Sequence, residues 1–199
     1  YGEYSRTEFP ASFRDFLEAP GHTQGYTLGL QWARALRGGQ DAFRLQAEHT
    51  FLERSTTSRD RPVGTYYTSR AVPQGYTHQG RVLGAAIGPG ASSHWLALDY
   101  FGPSWEVGLF GERIRWNNDA LFDVPLVPPS GYWCQHDVTV RVGIRGGIST
   151  PIGRFGASLS PGKRMNVFFQ HFTPCGRDEI PTALNDINNT TLELKYSLR

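Results

Sequence analysis

Large apolar side chains recur at every second position along "GYTLGLQWARAL" (25–36): Tyr26, Leu28, Leu30, Trp32 and Leu36, with Arg34 the exception. The residues between them are small or polar. Beyond a glycine turn, Phe43, Leu45, Ala47, His49 and Phe51 alternate with Arg44, Gln46, Glu48 and Thr50. A period of two sustained over this length predicts a long strand with two unlike faces, folded back on itself at 37–41. The pattern returns in "SHWLALDYF" (93–101) and "SWEVGLFGERIRW" (104–116), which meet at Gly102-Pro103, and most regularly in "HDVTVRVGIRG" (136–146). "GRFGASLS" and "KRMNVFFQHF" read as a hairpin across Pro161-Gly162, and "TTLELKYSLR" as a closing strand. Helical periodicity is confined to "PASFRDFLE" (10–18), two turns at most.

Whether the apolar face meets a protein core or lipid is read from the other face. A soluble sandwich dresses its solvent side with Lys, Glu and Thr. Here the alternate positions mix Gly, Ala, Gln, Arg and Glu, with paired signs such as Arg44 and Glu48. Small and charged side chains together suit the crowded polar interior of a membrane barrel. Tyr26, Trp32, Phe43, Phe51, Trp105, Trp116 and Tyr196 fall near strand ends, where interfacial aromatic girdles sit. The prediction is an all-β, antiparallel transmembrane β-barrel; a soluble antiparallel β protein is the plainer alternative.

Connection lengths agree. Outer-membrane barrels have short periplasmic turns and long extracellular loops. The turns at 37–41, 102–103 and 161–162 are short, whereas 1–21, 55–90 and 174–189 are long. With the short turns periplasmic, the last strand descends to a periplasmic C-terminus. The same parity makes 104–116 and 136–146 both ascend, which requires a descending strand hidden in 117–135, best placed at "ALFDVPLV" (120–127). The count is then about nine strands, starting outside the cell. An odd number with termini on opposite sides is not a complete bacterial barrel, so an N-terminal part is expected to be missing. Parity also sets Cys134 near the periplasmic turns and Cys175 in an outer loop. A bridge, whose Cα atoms lie about 4.4 to 6.8 Å apart, could not join them.

Composition changes this picture little. The 199 residues suffice for a single domain (1–199) and are 39% hydrophobic, 19% charged and 13% aromatic. A net charge of +2 and no run of like charges give no support for nucleic acid as a partner. Mean hydropathy is -0.42, and no apolar run nears the roughly 20 residues of a spanning helix. That excludes membrane helices but not a barrel, in which only alternate residues meet lipid. Two cysteines without CxxC spacing identify neither a disulfide scaffold nor a metal site. The chain starts at Tyr1 with neither methionine nor signal peptide, as expected of a removed targeting segment or a fragment.

Two longer stretches carry a resemblance. "GYTHQGRVLGAAIGPG" (75–90), the more specific, and "GERIRWNNDALF" (111–122) are similar to segments of the Wzi family of capsule assembly proteins. The likeness extends to "HDVTVRVGIR" and "LSPGKRMNVFFQ". It implies an outer-membrane barrel of eighteen strands with an additional periplasmic helical element, acting as a lectin that helps attach capsular polysaccharide to the cell surface. Nine strands would be the C-terminal half of such a barrel. This chain shows no helical bundle and ends in Arg199 rather than an aromatic residue. The resemblance implies capsular polysaccharide and outer-membrane lipid as partners of a monomeric barrel in the outer membrane of a Gram-negative bacterium, with no cofactor.

Sugar recognition needs planar hydrogen-bonding groups for hydroxyls, aromatic faces for C–H surfaces and, for acidic capsules, arginines that grip carboxylates bidentately. "ERIRWNND" offers Glu112, Arg113, Arg115, Trp116, Asn117, Asn118 and Asp119 at the predicted outer rim. "GYTHQGR" adds Tyr76, His78, Gln79 and Arg81 in the longest outer loop. The counter-reading is that Asn-Asn-Asp is turn chemistry and Trp116 a girdle anchor. Gly75, Gly80, Gly84, Gly88 and Gly90 are read as folding the loop.

Two rivals remain. For an enzyme such as a lipid hydrolase, Ser93 and His94 are the one tempting pair, but strand neighbours point to opposite faces. GxSxG and HExxH are missing, and the histidines at 22, 49, 136 and 171 lack metal spacing. Glu106 and Glu112 stand about 20 Å apart at about 3.3 Å per residue, too far for a carboxylate pair. No catalytic group is expected. A passive porin or sugar channel is the second rival, since Arg44, Glu48, Arg141, Arg145 and Lys195 could line a pore as well as fill it. A half barrel alone would leave two unpaired edges and an apolar face in water, so stability is expected only within a longer chain.

Overall fold

A computed structural model describes residues 1–68, 74–123, 133–134, 136–169, 173–174 and 186–198. In chain order its strands are β1 Gly2–Arg6, β2 Gln24–Leu36, β3 Asp41–Phe51, β4 Thr77–His78, β5 Arg81–Val82, β6 Ser92–Phe101, β7 Trp105–Arg115, β8 Trp133–Cys134, β9 Val138–Thr150, β10 Gly153–Met165, β11 Thr173–Pro174 and β12 Ile187–Leu198. Among the described residues α-helix is limited to α1, Phe13–Glu18, and the single turn α2, Ala120–Asp123. Eight strands form one antiparallel sheet in the order β1-β2-β3-β6-β7-β9-β10-β12, and the short strands make two ladders, β4 with β5 and β8 with β11. The all-β, antiparallel class read from the alternation is therefore what the chain adopts. The sheet is open, with β1 and β12 at its edges, and the described strands do not close into a barrel.

Register fixes what each face carries. Leu98 stands opposite Leu109, and Leu109 opposite Ile144. This face collects Leu30, Trp32, Leu96, Val142 and Leu192 as well, and leaves them uncovered; Leu109 is 58% and Leu194 74% exposed. Charges gather on the other face, where Arg44 stands opposite Asp99. Asp99, 4% exposed, accepts from Arg44 at 3.1 and 3.0 Å and from Arg145 at 2.8 Å through each of two nitrogens. Arg141 pairs with Glu112 at 2.5 Å and Arg154 with Glu106 at 2.5 Å. The expected juxtaposition of Arg44 with Glu48 is corrected: Arg44 goes to Asp99, and Glu48 instead accepts from the Tyr1 hydroxyl. The reason is cross-strand pairing, which brings directly opposed residues closer than i and i+4 along one strand.

Tight and long connections segregate. The strand ends joined by the turns 37–40, 102–104 and 151–152 lie at one end of the sheet, and the strand ends that flank 7–23, 52–91, 116–137 and 166–186 at the other. Aromatic pairs mark both ends. Tyr26 stacks on Phe51 at 5.4 Å toward the long loops, whereas Tyr100 stacks on Trp105 at 5.5 Å and Phe155 meets Tyr196 at 4.8 Å toward the tight turns. Trp116 leaves this girdle, because its indole turns to the polar side and donates to Thr139 at 2.8 Å.

Several expectations of topology are corrected. Pro161-Gly162 is not a turn: β10 runs through it, with Pro161 opposite Thr190 and Gly162 opposite Arg141. Proline tolerates an extended backbone and costs the ladder only its own donor. The turn is Pro151-Ile152, and the strand predicted at 136–146 continues through Gly146-Gly147 to Thr150. Within "ALFDVPLV", 120–123 forms α2 rather than a descending strand; 124–127 lie outside the described residues. β1, in a segment read as a loop, pairs with β2, Tyr4 opposite Tyr26. Among the described residues the sheet thus has eight strands rather than about nine. Its first strand runs toward the long loops and its last away from them, so the predicted start at the long-loop end also falls. Moving the turn to 151–152 puts the strand ends at 115 and 138 and at 165 and 187 together, so β8 does not lie toward the tight turns as predicted for Cys134, and Cys134 stands opposite Thr173. The prediction for Cys175 lies outside the described residues.

Candidate functional site

Strands deliver arginines and carboxylates to the long-loop end, where burial forces them to pair. Arg115, the last residue of β7, holds Glu53 bidentately at 2.7 and 2.6 Å. Asn118 donates to the same carboxylate at 3.0 Å, and its Oδ1 lies 2.5 Å from His136 Nδ1. Asp119, 1% exposed, accepts from the Arg54 backbone N–H at 2.7 Å and from the Thr65 hydroxyl, with Arg54 Nε at 3.3 Å. Asp137 takes Arg164 bidentately at 2.8 and 2.7 Å and accepts the Phe168 N–H at 2.9 Å. The Arg164 guanidinium also lies 5.3 Å from the Trp116 ring. Burial raises the Asp119 carboxyl above its ordinary range against the pull of Thr65 and Arg54. It lowers His136, reinforced by Arg115, and lowers His22, reinforced by Arg61.

Most of "ERIRWNND" lies within this brace. Arg115, Trp116, Asn118 and Asp119 direct their polar atoms at the chain, and Asn117 makes the turn at a φ of 38°. Glu112 is on the polar face with Arg141. Arg113 alternates to the opposite, apolar side.

The second group is arranged differently. β4 and β5 make a hairpin whose two turn residues, Gln79 and Gly80, both have positive φ, 48° and 75°, as a type I′ turn requires. His78, Gln79 and Arg81 are exposed on it, and Tyr76 is 55% exposed at its base. Behind the hairpin lies a cleft of 580 Å³ whose lining includes Glu3, Ser5, Thr27, Tyr66, Tyr67 and Tyr76. The Tyr67 ring stacks on Tyr76 at 5.9 Å and meets Tyr66 edge-on at 5.1 Å. Two glycines admit these rings, since a Cβ on Gly84 would collide with Tyr67 and one on Gly25 with Tyr66. The Tyr67 hydroxyl accepts the Ala85 N–H at 3.0 Å, which fixes the ring's tilt. Flat aromatic faces beside a carboxylate and hydroxyls can hold a sugar ring by its C–H surface and its hydroxyls together.

The sequence signal for this cleft is the adjacent tyrosines of "GTYYT" (64–68), which alternation analysis passes over because they lie between strands. Glu3 was hidden with β1. Among the described residues no group of three or more His, Cys, Asp and Glu could hold a metal ion. No helix of the described residues is long and apolar enough to cross a membrane, which bears on helices alone. No family model, curated protein or solved structure matches the chain.

Proposed function

We propose that this chain is a portion of an outer-membrane β-barrel that acts as a lectin, binding capsular polysaccharide at its long-loop end, as the resemblance to the Wzi family implies. One observation carries the membrane reading: the sheet leaves its leucines and valines uncovered, while on the other face Asp99 is buried between Arg44 and Arg145. In water that arrangement forfeits the hydrophobic term, whereas in lipid it satisfies both faces. The eight steps from Leu28 to Leu36 span about 26 Å along the strand at about 3.3 Å per residue. At a tilt of about 40° this becomes about 20 Å, close to the apolar band of about 25 Å typical of such barrels. Closure, through further strands or between the edges, would pair the N–H and C=O groups of β1 and β12 that lipid does not tolerate unpaired.

The polysaccharide reading is supported by the tyrosine cleft with the exposed His78, Gln79 and Arg81 above it. The test uses the full-length product from the outer-membrane fraction. A heat-dependent shift in electrophoretic mobility is expected, together with capsular polysaccharide binding that falls in Tyr67→Ala, Tyr76→Ala and Arg81→Ala. A protein recovered soluble and unshifted refutes the barrel; unchanged binding in all three variants refutes the cleft. A channel is the second reading, and the ion pairs that neutralise Arg44, Arg141 and Arg145 favour a filled interior over it. Liposome conductance separates them, with silence expected.

A further inference from the structure

The apolar face is not uniform at its upper edge. His49 of β3 stands opposite His94 of β6, which stands opposite Arg113 of β7. With strands about 4.8 Å apart, these three side chains form a polar row on the outer side, within about 10 Å. The two imidazoles stack at 4.4 Å and 22°. His49 is anchored, Nδ1 lying 2.9 Å from the Ser93 carbonyl, so it holds His94 in place. Neighbouring cations are already neutralised: Arg115 by Glu53, and Lys163 by Asp186 at 2.8 Å. Arg113 has no carboxylate partner among the described residues, and Glu112 beside it points to the other face toward Arg141. A guanidinium at the border of an apolar band is costly unless an anion meets it.

Immediately below Arg113 on the same strand and face is Gly111, where an added Cβ would find nothing within 4 Å. The missing side chain opens an apolar groove of 620 Å³ between Leu96, Leu98, Leu109, Val142 and Leu159. An anion-seeking fork therefore sits directly above an apolar channel. Resting on the membrane reading above, we propose that this face carries a site for one phosphate-bearing lipid of the leaflet on the long-loop side. Its phosphate is gripped by Arg113 and His94, and one acyl chain fills the groove over Gly111. Charge complementarity selects the phosphate, because arginine presents paired donors that match its oxygens. A soluble phosphate would leave the groove empty.

The full-length protein, extracted from membranes into a nonionic detergent, is titrated with a diphosphorylated diglucosamine lipid and with the same lipid stripped of phosphate, and binding is read by native mass spectrometry. One tightly held copy of the phosphorylated lipid is expected. Arg113→Ala should lower that affinity about tenfold, the effect of about 1.4 kcal/mol, while leaving the weaker dephosphorylated lipid unchanged. Gly111→Phe, which fills the groove, should weaken both lipids; Leu198→Ala, opposite Gly153 at the tight-turn end of the face, should weaken neither. Each variant is first shown to keep its heat-dependent mobility shift. Equal binding of the two lipids, or full binding by a shifted Arg113→Ala protein, overturns the lipid site and leaves the barrel standing. Loss of the mobility shift in the unmodified protein overturns the barrel, and the lipid site with it.

Discussion

Replacing Asp99 with alanine removes the carboxylate that Arg44 and Arg145 share. Four charge-assisted hydrogen bonds disappear, two at 3.1 and 3.0 Å and two at 2.8 Å. Breaking a fully buried ion pair typically costs about 3–5 kcal/mol, because the remaining charge is left without compensation. Here the side chains of Arg44 and Arg145 are 31% and 33% exposed, so solvent recovers part of that cost. Arg145 also keeps Gln46 at 3.4 Å, and Arg44 the ring of Phe101 at 4.9 Å. The expected loss is about 2–3 kcal/mol for Asp99→Ala. For Asp99→Asn, whose amide oxygen still accepts from one arginine, it is about 1–2 kcal/mol. The assay is urea unfolding of the full-length protein in lipid vesicles, read as the fraction retaining the unheated mobility, with stabilities compared by linear extrapolation. Asp99→Ala within about 0.5 kcal/mol of the parent would refute the reasoning. It would mean that water and salt screen the polar face, and would favour an open channel over a filled interior.

Four further outcomes are expected. Leu109→Arg, in the middle of the exposed apolar band, should cost about 2–4 kcal/mol in a bilayer, whereas Ser158→Arg on the opposite face should cost less than about 1 kcal/mol; the same vesicle unfolding assay compares them. Gly84→Val should displace the Tyr67 ring and abolish polysaccharide binding while leaving the mobility shift intact. Trp116→Phe keeps the ring beside Arg164 and removes the bond to Thr139, so a loss of about 1 kcal/mol is expected by urea unfolding, with polysaccharide binding retained. Burial holds His22 and His136 below the usual histidine range, so the folded loops bind fewer protons than the unfolded chain. Their stability contribution is present above a pH of about 6.5 and is lost as pH falls below it. Protection factors over residues 52–68, with the intrinsic pH dependence of amide exchange divided out, should therefore fall between pH 7.5 and 5.5 in the parent, and less so in His22→Gln.

Period-two alternation is a local property, and it determined by itself that 25–51, 93–116 and 190–198 form strands with one apolar face. The tight turns at Gly38-Gly39 and Gly102-Pro103 were equally local, since glycine and proline constrain their own backbone. Pro161-Gly162 carries the same dipeptide signal, yet lies mid-strand, because β9 and β12 pair with β10 on both sides and outweigh the turn preference. β1 was not legible: five residues with Gly2, Glu3 and Ser5 among them show no contrast of faces, and only pairing with β2 defines the strand. The polar character of 112–119 could be read directly. Where its groups point could not, because Glu53, Arg54, Thr65 and His136 reach Arg115, Asn118 and Asp119 from distant segments. The same holds for the tyrosine cleft and for the row of His49, His94 and Arg113, assembled from separate loops and strands. Alternation established that the two faces differ; only the tertiary arrangement decided that the apolar one is uncovered and that Asp99 on the other is buried between two arginines, because burial and pairing depend on which strands register lays side by side.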